Sequence, residues 1–390
     1  MGSQDQSRGD AQILIVGGGF AAVEAALALR ALVGRRLTLT LLAPEAVFRY
    51  RAAATAEPFD LAPSRCYDLA AIAGDLDADF YESRLEAVAS RKHFVRTASG
   101  ARLGYDALIL GTGARPVVGV PGALTFRDQR DIPALKRLLS GLQAGRIRKI
   151  VFAVPPRGTW ALPVYELAML WARHAREGGL PTECTLVTPE PEPLALFGGE
   201  ASGLVRGLLE ERGVRFVGEA AAESVHRDGS LWLRSGEVIA ADRVVAAPEL
   251  RGRRFTGVPA NPSGFVPVDT AGRVEGLDDV YAAGDMTTFP IKQGGVAAQE
   301  ADAIAQTIAA GLGVTVKHVR PPRVLHARVL GGDHPVLLRT EFDWRGQPTR
   351  AALVRADEER GAKAAKVVGR YLVPYLETRA PLADDRRPVA

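Results

Sequence analysis

The chain opens on a short, mostly apolar run at residues 12–16. It passes through Gly17-Gly18-Gly19 into residues 20–32, where Ala and Leu recur at helical spacing. A second β-like run, residues 37–42, is stopped by Ala43-Pro44. This pattern predicts strand, glycine turn, helix and strand, the opening of a doubly wound α/β unit. Residues 48–69 then lose periodicity and are expected to be an irregular, functional segment. Strands are expected at 80–88, around 94–102, and at 106–110, the last fully apolar apart from Asp106.

The same alternation restarts at Lys149. Strands are predicted at 150–154, 185–187 and 214–217, with helices at 164–176 and 203–212 between them and Gly213 closing the second helix. Short strands at 231–234, 237–240 and 243–247 follow. The Gly-, Pro- and Arg-rich stretch 251–264 reads as a connection back to the first unit. A buried strand at 279–283 precedes a long Ala-rich helix at 295–311. From Pro321 the period shortens to strand-like alternation at 324–329, 336–341 and 350–354. The predicted fold class is α/β, with two Rossmann-like lobes of the FAD/NAD(P)-binding type and a small antiparallel α+β C-terminal domain. A discontinuous first domain takes residues 1–145 and 265–320, with 146–264 inserted and 321–390 at the C-terminus.

Length alone, 390 residues, points to two or three domains. With 47% apolar and 24% charged residues the chain is globular in composition. The net charge of +4 is spread out, without the basic block of a nucleic-acid arm. Cys66 and Cys184 stand far apart, and the six histidines lack ligand spacing, so neither a disulfide framework nor a metal is expected. The polar residues 1–10 lack a signal-peptide core, and no apolar run approaches the ~18 residues of a membrane span, so a cytoplasmic location is expected.

Three segments carry chemistry. Gly17-Gly18-Gly19-Phe20-Ala21-Ala22 fits G-x-G-x-x-[GA] in the required strand–turn–helix context. Gly17 permits the tight turn, Gly19 lets a pyrophosphate approach the backbone, and Ala22 lets helix and strand pack closely. The acidic residue expected at the end of the second strand is replaced by Ala43 and Pro44. Glu45 follows, and reads equally as a ribose ligand or a solvated loop residue. The second segment, Leu108-Ile109-Leu110-Gly111-Thr112-Gly113-Ala114-Arg115-Pro116, is a buried strand ending in small residues that admit a ligand to the backbone. The third is Val280-Tyr281-Ala282-Ala283-Gly284-Asp285, followed by Lys292-Gln293-Gly294-Gly295. There the Asp285 carboxylate suits polyol hydroxyls, or caps a turn.

These three segments resemble the FAD signatures of the pyridine nucleotide-disulfide oxidoreductase superfamily, over roughly residues 11–320. The resemblance is strongest to sulfide:quinone oxidoreductases, the flavoprotein of flavocytochrome c sulfide dehydrogenases and type II NADH dehydrogenases. Lys292-Gln293-Gly294 is similar to the Lys-Thr-Gly before the flavin-facing helix of the sulfide oxidisers, and Phe48-Arg49-Tyr50-Arg51 to their aromatic-rich loop. Leu85 matches the apolar position whose backbone meets the adenine. The resemblance implies FAD as cofactor, with the helix beginning at Gly295 facing the flavin. Tyr50, Arg51, Trp160, Tyr165 and Lys292 are the expected lining of the reactive pocket.

The departures limit what carries over. Where NADH-using members repeat G-x-G-x-x-G, this chain has Pro155-Pro156-Arg157-Gly158-Thr159-Trp160. Two prolines remove N–H donors and Trp160 is bulky, so the second lobe reads as a shell that has lost its nucleotide. A loosely held NADPH using Arg157 is the alternative. The cysteines of the sulfide oxidisers are missing from both expected places. Residues 362–376, with Lys363, Lys366 and Arg370 beside Val367, Val368, Tyr371, Leu372 and Tyr375, read as a basic amphipathic helix kinked or ended by Pro374. It is expected to pack on its own body or a partner subunit, as in a homodimer, rather than on a membrane. The expected activity is flavin oxidation of a small organic or sulfur substrate, with a quinone, dioxygen or other acceptor and no nucleic-acid partner. The rivals are an NAD(P)H-dependent quinone or carrier reductase and a flavin-stabilised scaffold.

Overall fold

The computed structural model describes residues 10–157, 160–316, 323–332, 335–354 and 367–382. Five parallel strands form the first sheet, in the spatial order Val280–Ala282, Ala107–Leu110, Ala11–Val16, Leu37–Ala43, Ala78–Glu82. Both faces of this sheet are buried, which explains strands that read as continuous apolar runs. Ile13, Ile15, Leu39, Leu41 and Ile109 pack on one side under the helices Phe20–Val33 and Gly294–Gly311. Leu14, Val16, Leu42, Leu108 and Leu110 pack on the other, under the antiparallel sheet of Leu85–Ala89, Phe94–Thr97 and Arg102–Gly104. Segments as far apart in the chain as Val16 and Ala282 therefore converge at one set of strand ends.

A second parallel sheet runs Leu124–Thr125, Arg243–Ala246, Lys149–Ala153, Glu183–Val187, Val214–Val217. Its helix Leu162–Glu177 is buried along most of its length, with Tyr165 and Trp171 fully enclosed. The lobes are joined by an antiparallel pair, Arg115–Val117 against Glu249–Arg251. A three-stranded antiparallel sheet, Arg323–Val329, Val336–Phe342 and Pro348–Val354, closes the C-terminal part. Gln299 ties it to the long helix. Its amide donates to the Val324 carbonyl at 2.7 Å and its carbonyl accepts from Val324 N–H at 2.8 Å.

Several elements differ from the sequence pattern. The ends of the segment expected to be irregular pair as an antiparallel hairpin, Val47–Tyr50 with Arg65–Asp68. Phe48 lies on Tyr67 with ring centroids 6.0 Å apart. Strands of four residues separated by a long connection leave too short a period to read. The single strand expected at 80–88 is two, Ala78–Glu82 and Leu85–Ala89, in different sheets. Helices Leu69–Asp75 and Ile132–Gln143 were not anticipated. The first is announced by Asp68, whose carboxylate caps the N–H groups of Ala70 and Ala71 at 2.8 and 3.1 Å. The C-terminal helix is shorter than expected. It spans Leu372–Glu377 with Pro374 inside its first turn, where a missing N–H costs nothing, and residues 362–366 lie outside the described part. No described helix is long and apolar enough to cross a membrane.

Candidate functional site: a cleft between the lobes

The ends of the first sheet's strands open into a cleft of about 560 Å³ that reaches across to the second lobe. All three glycine segments meet there, because neighbouring strands of a parallel sheet deliver their C-terminal loops to one edge. Gly17 and Gly111 touch. A Cβ on Gly17 would stand 2.3 Å from the Gly111 carbonyl oxygen, and Gly17 has φ +138°, where side chains are strained. A Cβ on Gly111 would in turn meet Ala22 N at 3.2 Å, so Ala22 supports the turn from beneath and is not among the lining residues. Gly19 differs, since nothing lies within 4 Å of its Cβ position and the space above it belongs to the cleft. Phe20 bridges two of the segments. Its ring meets Phe48 and Tyr50 edge-on and lies 3.0 Å from where a Gly294 Cβ would be.

Gly17, Gly18, Gly19, Phe20, Ala21, Glu45, Leu85, Gly111, Thr112, Gly113, Gly284, Asp285, Lys292, Gln293 and Gly294 all line the cleft, as do Arg51 and Trp160. Tyr165 does not. It is fully buried in the second lobe, where its hydroxyl donates to Glu190 Oε2 at 2.7 Å. Tyr50 stands behind the wall, against Phe20, with its hydroxyl bonded to the Val367 backbone. Gly295 is covered: the Gln293 carbonyl and the Val368 backbone occupy the space around it. Glu45 is half exposed and paired with Arg49 at 3.0 Å.

The start of the long helix is capped from within. Gln293 Oε1 accepts from Gly295 N–H at 2.6 Å and Val296 N–H at 3.0 Å, so two of the amides expected to face a ligand are already satisfied. Lys292 lies beside this cap. Its Nζ donates to the Thr287 carbonyl at 2.5 Å and sits 4.3 Å from the centre of the Phe265 ring. Burial depresses its pKa to about 8, against the opposing pull of Asp285 and Glu300. Burial pushes the Asp285 carboxyl up, partly offset by Lys292 and Arg51. Glu300, also raised by burial, accepts from Gly284 N–H at 2.8 Å and pairs with Arg323 at 3.1 Å. The Gly284-Asp285 turn is thereby fixed from below.

The cleft also holds residues that the sequence did not announce. Thr55, Glu166, Leu167 and His326 line it opposite the glycine loops. The Thr55 hydroxyl donates to Glu166 Oε2 at 2.8 Å, and Leu330 N–H reaches Glu166 Oε1 at 3.2 Å. Arg127 and Arg130 arrive from residues 126–131, where Arg127 pairs with Asp131 at 2.6 Å and Arg130 with Asp128 at 2.7 Å. The alternation of Arg and Asp in this run is the sequence signal for these two. His326 and Glu166 come from unrelated elements, and no spacing connects them.

The family described as pyridine nucleotide-disulphide oxidoreductase matches residues 11–301. The chain belongs to this family of FAD-dependent oxidoreductases. Among curated members, monodehydroascorbate reductase 5 of Oryza sativa subsp. japonica is 27% identical over 54% of this chain and 43% of its own length. The sulfide-quinone reductase of Aquifex aeolicus is 24% identical over 57% of this chain and 49% of its own. The chain thus spans about half the length of the curated relatives it matches. The solved structure of the Aquifex aeolicus sulfide:quinone oxidoreductase superposes with a TM-score of 0.77 at 20% identity, covering 88% of this chain and 86% of that one. The shared fold is therefore that of two lobes facing across a cleft.

The residues present fit FAD, the cofactor of this family. The open space over Gly19 at the N-terminus of the Phe20–Val33 helix suits a diphosphate. The small residues Gly111 to Ala114 leave the backbone accessible, and Asp285 offers a carboxylate to sugar-alcohol hydroxyls. Bound there, FAD supplies acceptance of a hydride or electron pair and its delivery to a second substrate.

Proposed function

We propose that this protein moves electrons from a small organic or sulfur substrate to a quinone, dioxygen or another acceptor. On this reading it uses neither a redox dithiol nor a nicotinamide dinucleotide held by the second lobe. The placement of the two cysteines carries the reading. Cys66 is buried in the Arg65–Asp68 strand, with Arg49 Nη1 directed at its sulfur at 3.9 Å. Cys184 is buried in the Glu183–Val187 strand and donates to the Ala168 carbonyl at 3.6 Å. Neither lines the cleft, and burial pushes the Cys184 thiol up, away from the reactive thiolate form.

The second lobe supports the same reading. Pro155 follows the Lys149–Ala153 strand where a dinucleotide would need backbone N–H groups. It also packs within 3 Å of the space a Cβ on Gly119 would need. Glu190, three residues past the next strand, sits where such lobes hold a ribose, but it accepts from Tyr165 at 2.7 Å and Thr188 at 3.1 Å. Burial pushes this carboxyl up, opposed by both hydroxyls. On the cleft side, Trp160 lines the wall, Thr55 holds Glu166, and His326 adds an imidazole to the lining.

The test is anaerobic mixing of the FAD-loaded protein with NADH, NADPH, sulfide and a panel of small organic reductants, following the flavin band. Slow bleaching by both nicotinamides and fast bleaching by at least one small donor is the expected result. Complete bleaching by NADPH within the mixing time would replace the proposal with a nicotinamide-dependent reductase.

A further inference from the structure

One end of the cleft carries positive charge without matching negative charge. Arg51, Arg84 and Arg253 line it, and Arg115 stands close enough to act on Arg253 through space. Elsewhere in the cleft arginines have carboxylate partners: Arg49 with Glu45, Arg127 with Asp131, Arg130 with Asp128. Arg51 shares Asp128 at 3.8 Å, and that carboxylate is already engaged by Arg130. Burial alone would raise Asp128, but the bonds from Arg130 and the charge of Arg51 outweigh it and hold the carboxyl below its usual range. Its charge is therefore committed. Arg84, Arg115 and Arg253 make no side-chain hydrogen bond or ion pair with any described residue.

Like charges gathered without counter-charge raise the free energy of the fold unless an anion offsets them. The cost is visible at Arg253, where partial burial and the charges of Arg51, Arg115 and Arg84 all act to lower its pKa. Leu85, Leu250 and Phe255 line the cleft beside it, so charged and apolar surface alternate within reach of one ligand. Arginine forks suit phosphate and carboxylate oxygens through paired hydrogen bonds.

We infer that Arg253, with Arg84, Arg115 and Arg51, forms an anion subsite at this end of the cleft that takes a phosphate-class group. That group belongs to a separate anionic ligand entering beside FAD, whose own diphosphate the open Gly19 turn accommodates. The inference rests on the FAD cleft and not on the identity of the electron donor.

The probe is inorganic pyrophosphate, titrated calorimetrically into FAD-loaded protein and into protein stripped of FAD. FAD affinity is measured separately by fluorescence. The variants are Arg253→Ala and Arg84→Ala, with Arg35→Ala, an exposed arginine remote from the cleft, as the charge control. Loss of one charge-assisted partner should weaken binding roughly ten-fold. Pyrophosphate binding to the FAD-loaded protein, weakened by that factor in both cleft variants while FAD affinity holds, supports a separate ligand. Pyrophosphate binding solely to the stripped protein, with FAD affinity itself falling in both variants, would assign these arginines to the cofactor and overturn the separate subsite. If both variants match Arg35→Ala in pyrophosphate and FAD affinity, or pyrophosphate binds neither form and FAD affinity is unchanged, the subsite does not exist.

Discussion

At the scale of single residues, the three neighbouring glycines of the first turn have different jobs. Gly17 is required by the fold itself, because its positive φ and the 2.3 Å approach to the Gly111 carbonyl leave no room for a side chain. Gly19 is required by the ligand, because its Cβ position is open. Gly19→Val should therefore give folded but colourless protein that fails to take up FAD, whereas Gly17→Val should fail to fold. The check is circular dichroism beside flavin absorbance after FAD is added; a yellow Gly19→Val would remove the diphosphate from this turn. The motif was legible in the sequence, but the division of labour was not, since it depends on a contact with a loop ninety residues away. Lys292 is a second case. Its position before the long helix could be read, but its bond to the Thr287 carbonyl, its place over Phe265 and its lowered pKa could not. If its charge stabilises a reduced cofactor by on the order of 1–2 kcal/mol, Lys292→Met should lower the two-electron midpoint by roughly 20–45 mV. A redox titration against a reference dye reads this directly, and an unchanged midpoint assigns the side chain a structural role. The pH dependence has a definite sign. The folded pKa, about 8, lies below the ordinary 10.5. Between these values the unfolded chain binds the extra proton, so FAD-free wild type gains stability as pH rises through that window. Lys292→Met should lack that gain in denaturant titrations.

At the scale of elements, the helix Gly294–Gly311 is the part on which the site depends most. From within it, Glu300 holds the Gly284 turn and Gln299 clamps the C-terminal sheet. The sequence showed the helix but not its cap. Gln293 reads as part of a loop until its carbonyl is seen to accept from Gly295 and Val296. The first helix shows the same gap. Glu24 lies in an Ala- and Leu-rich run and is completely buried, accepting from the Tyr371 and Leu372 N–H groups at 3.0 and 2.7 Å. It caps the C-terminal helix from across the molecule, which no local pattern announces. The parallel strands were readable as continuous apolar runs because both faces of each sheet are buried. The C-terminal helix was read too long at least over residues 367–371, which precede the observed start at Leu372. Glu24→Leu should leave two N–H groups without partners and cost about 1–3 kcal/mol for each one cut off from water. Chemical denaturation measures it, and a loss below about 0.5 kcal/mol would mean that the C-terminal segment is held by other contacts.

At the scale of the whole molecule, the two lobes repeat one architecture and use it differently. In the first, small residues at the strand ends keep the cleft open. In the second, Pro155 stands after the corresponding strand, and Glu190 accepts from Tyr165 and Thr188. The sequence foretold the loss of the glycines, but it placed Tyr165 in the pocket because proximity to Trp160 along the chain was all it offered. Trp160 precedes the Leu162–Glu177 helix, whereas Tyr165 lies in its first turn and turns inward. With both thiols buried away from the cleft, electrons entering this protein should reside on FAD alone. The decisive experiment is anaerobic titration with dithionite, run on the wild type and on a Cys66→Ser, Cys184→Ser double variant. Both should take up about two electrons per FAD, with superimposable flavin spectra throughout. Uptake of about four electrons by the wild type, falling to two in the variant, would instead show a redox-active thiol pair.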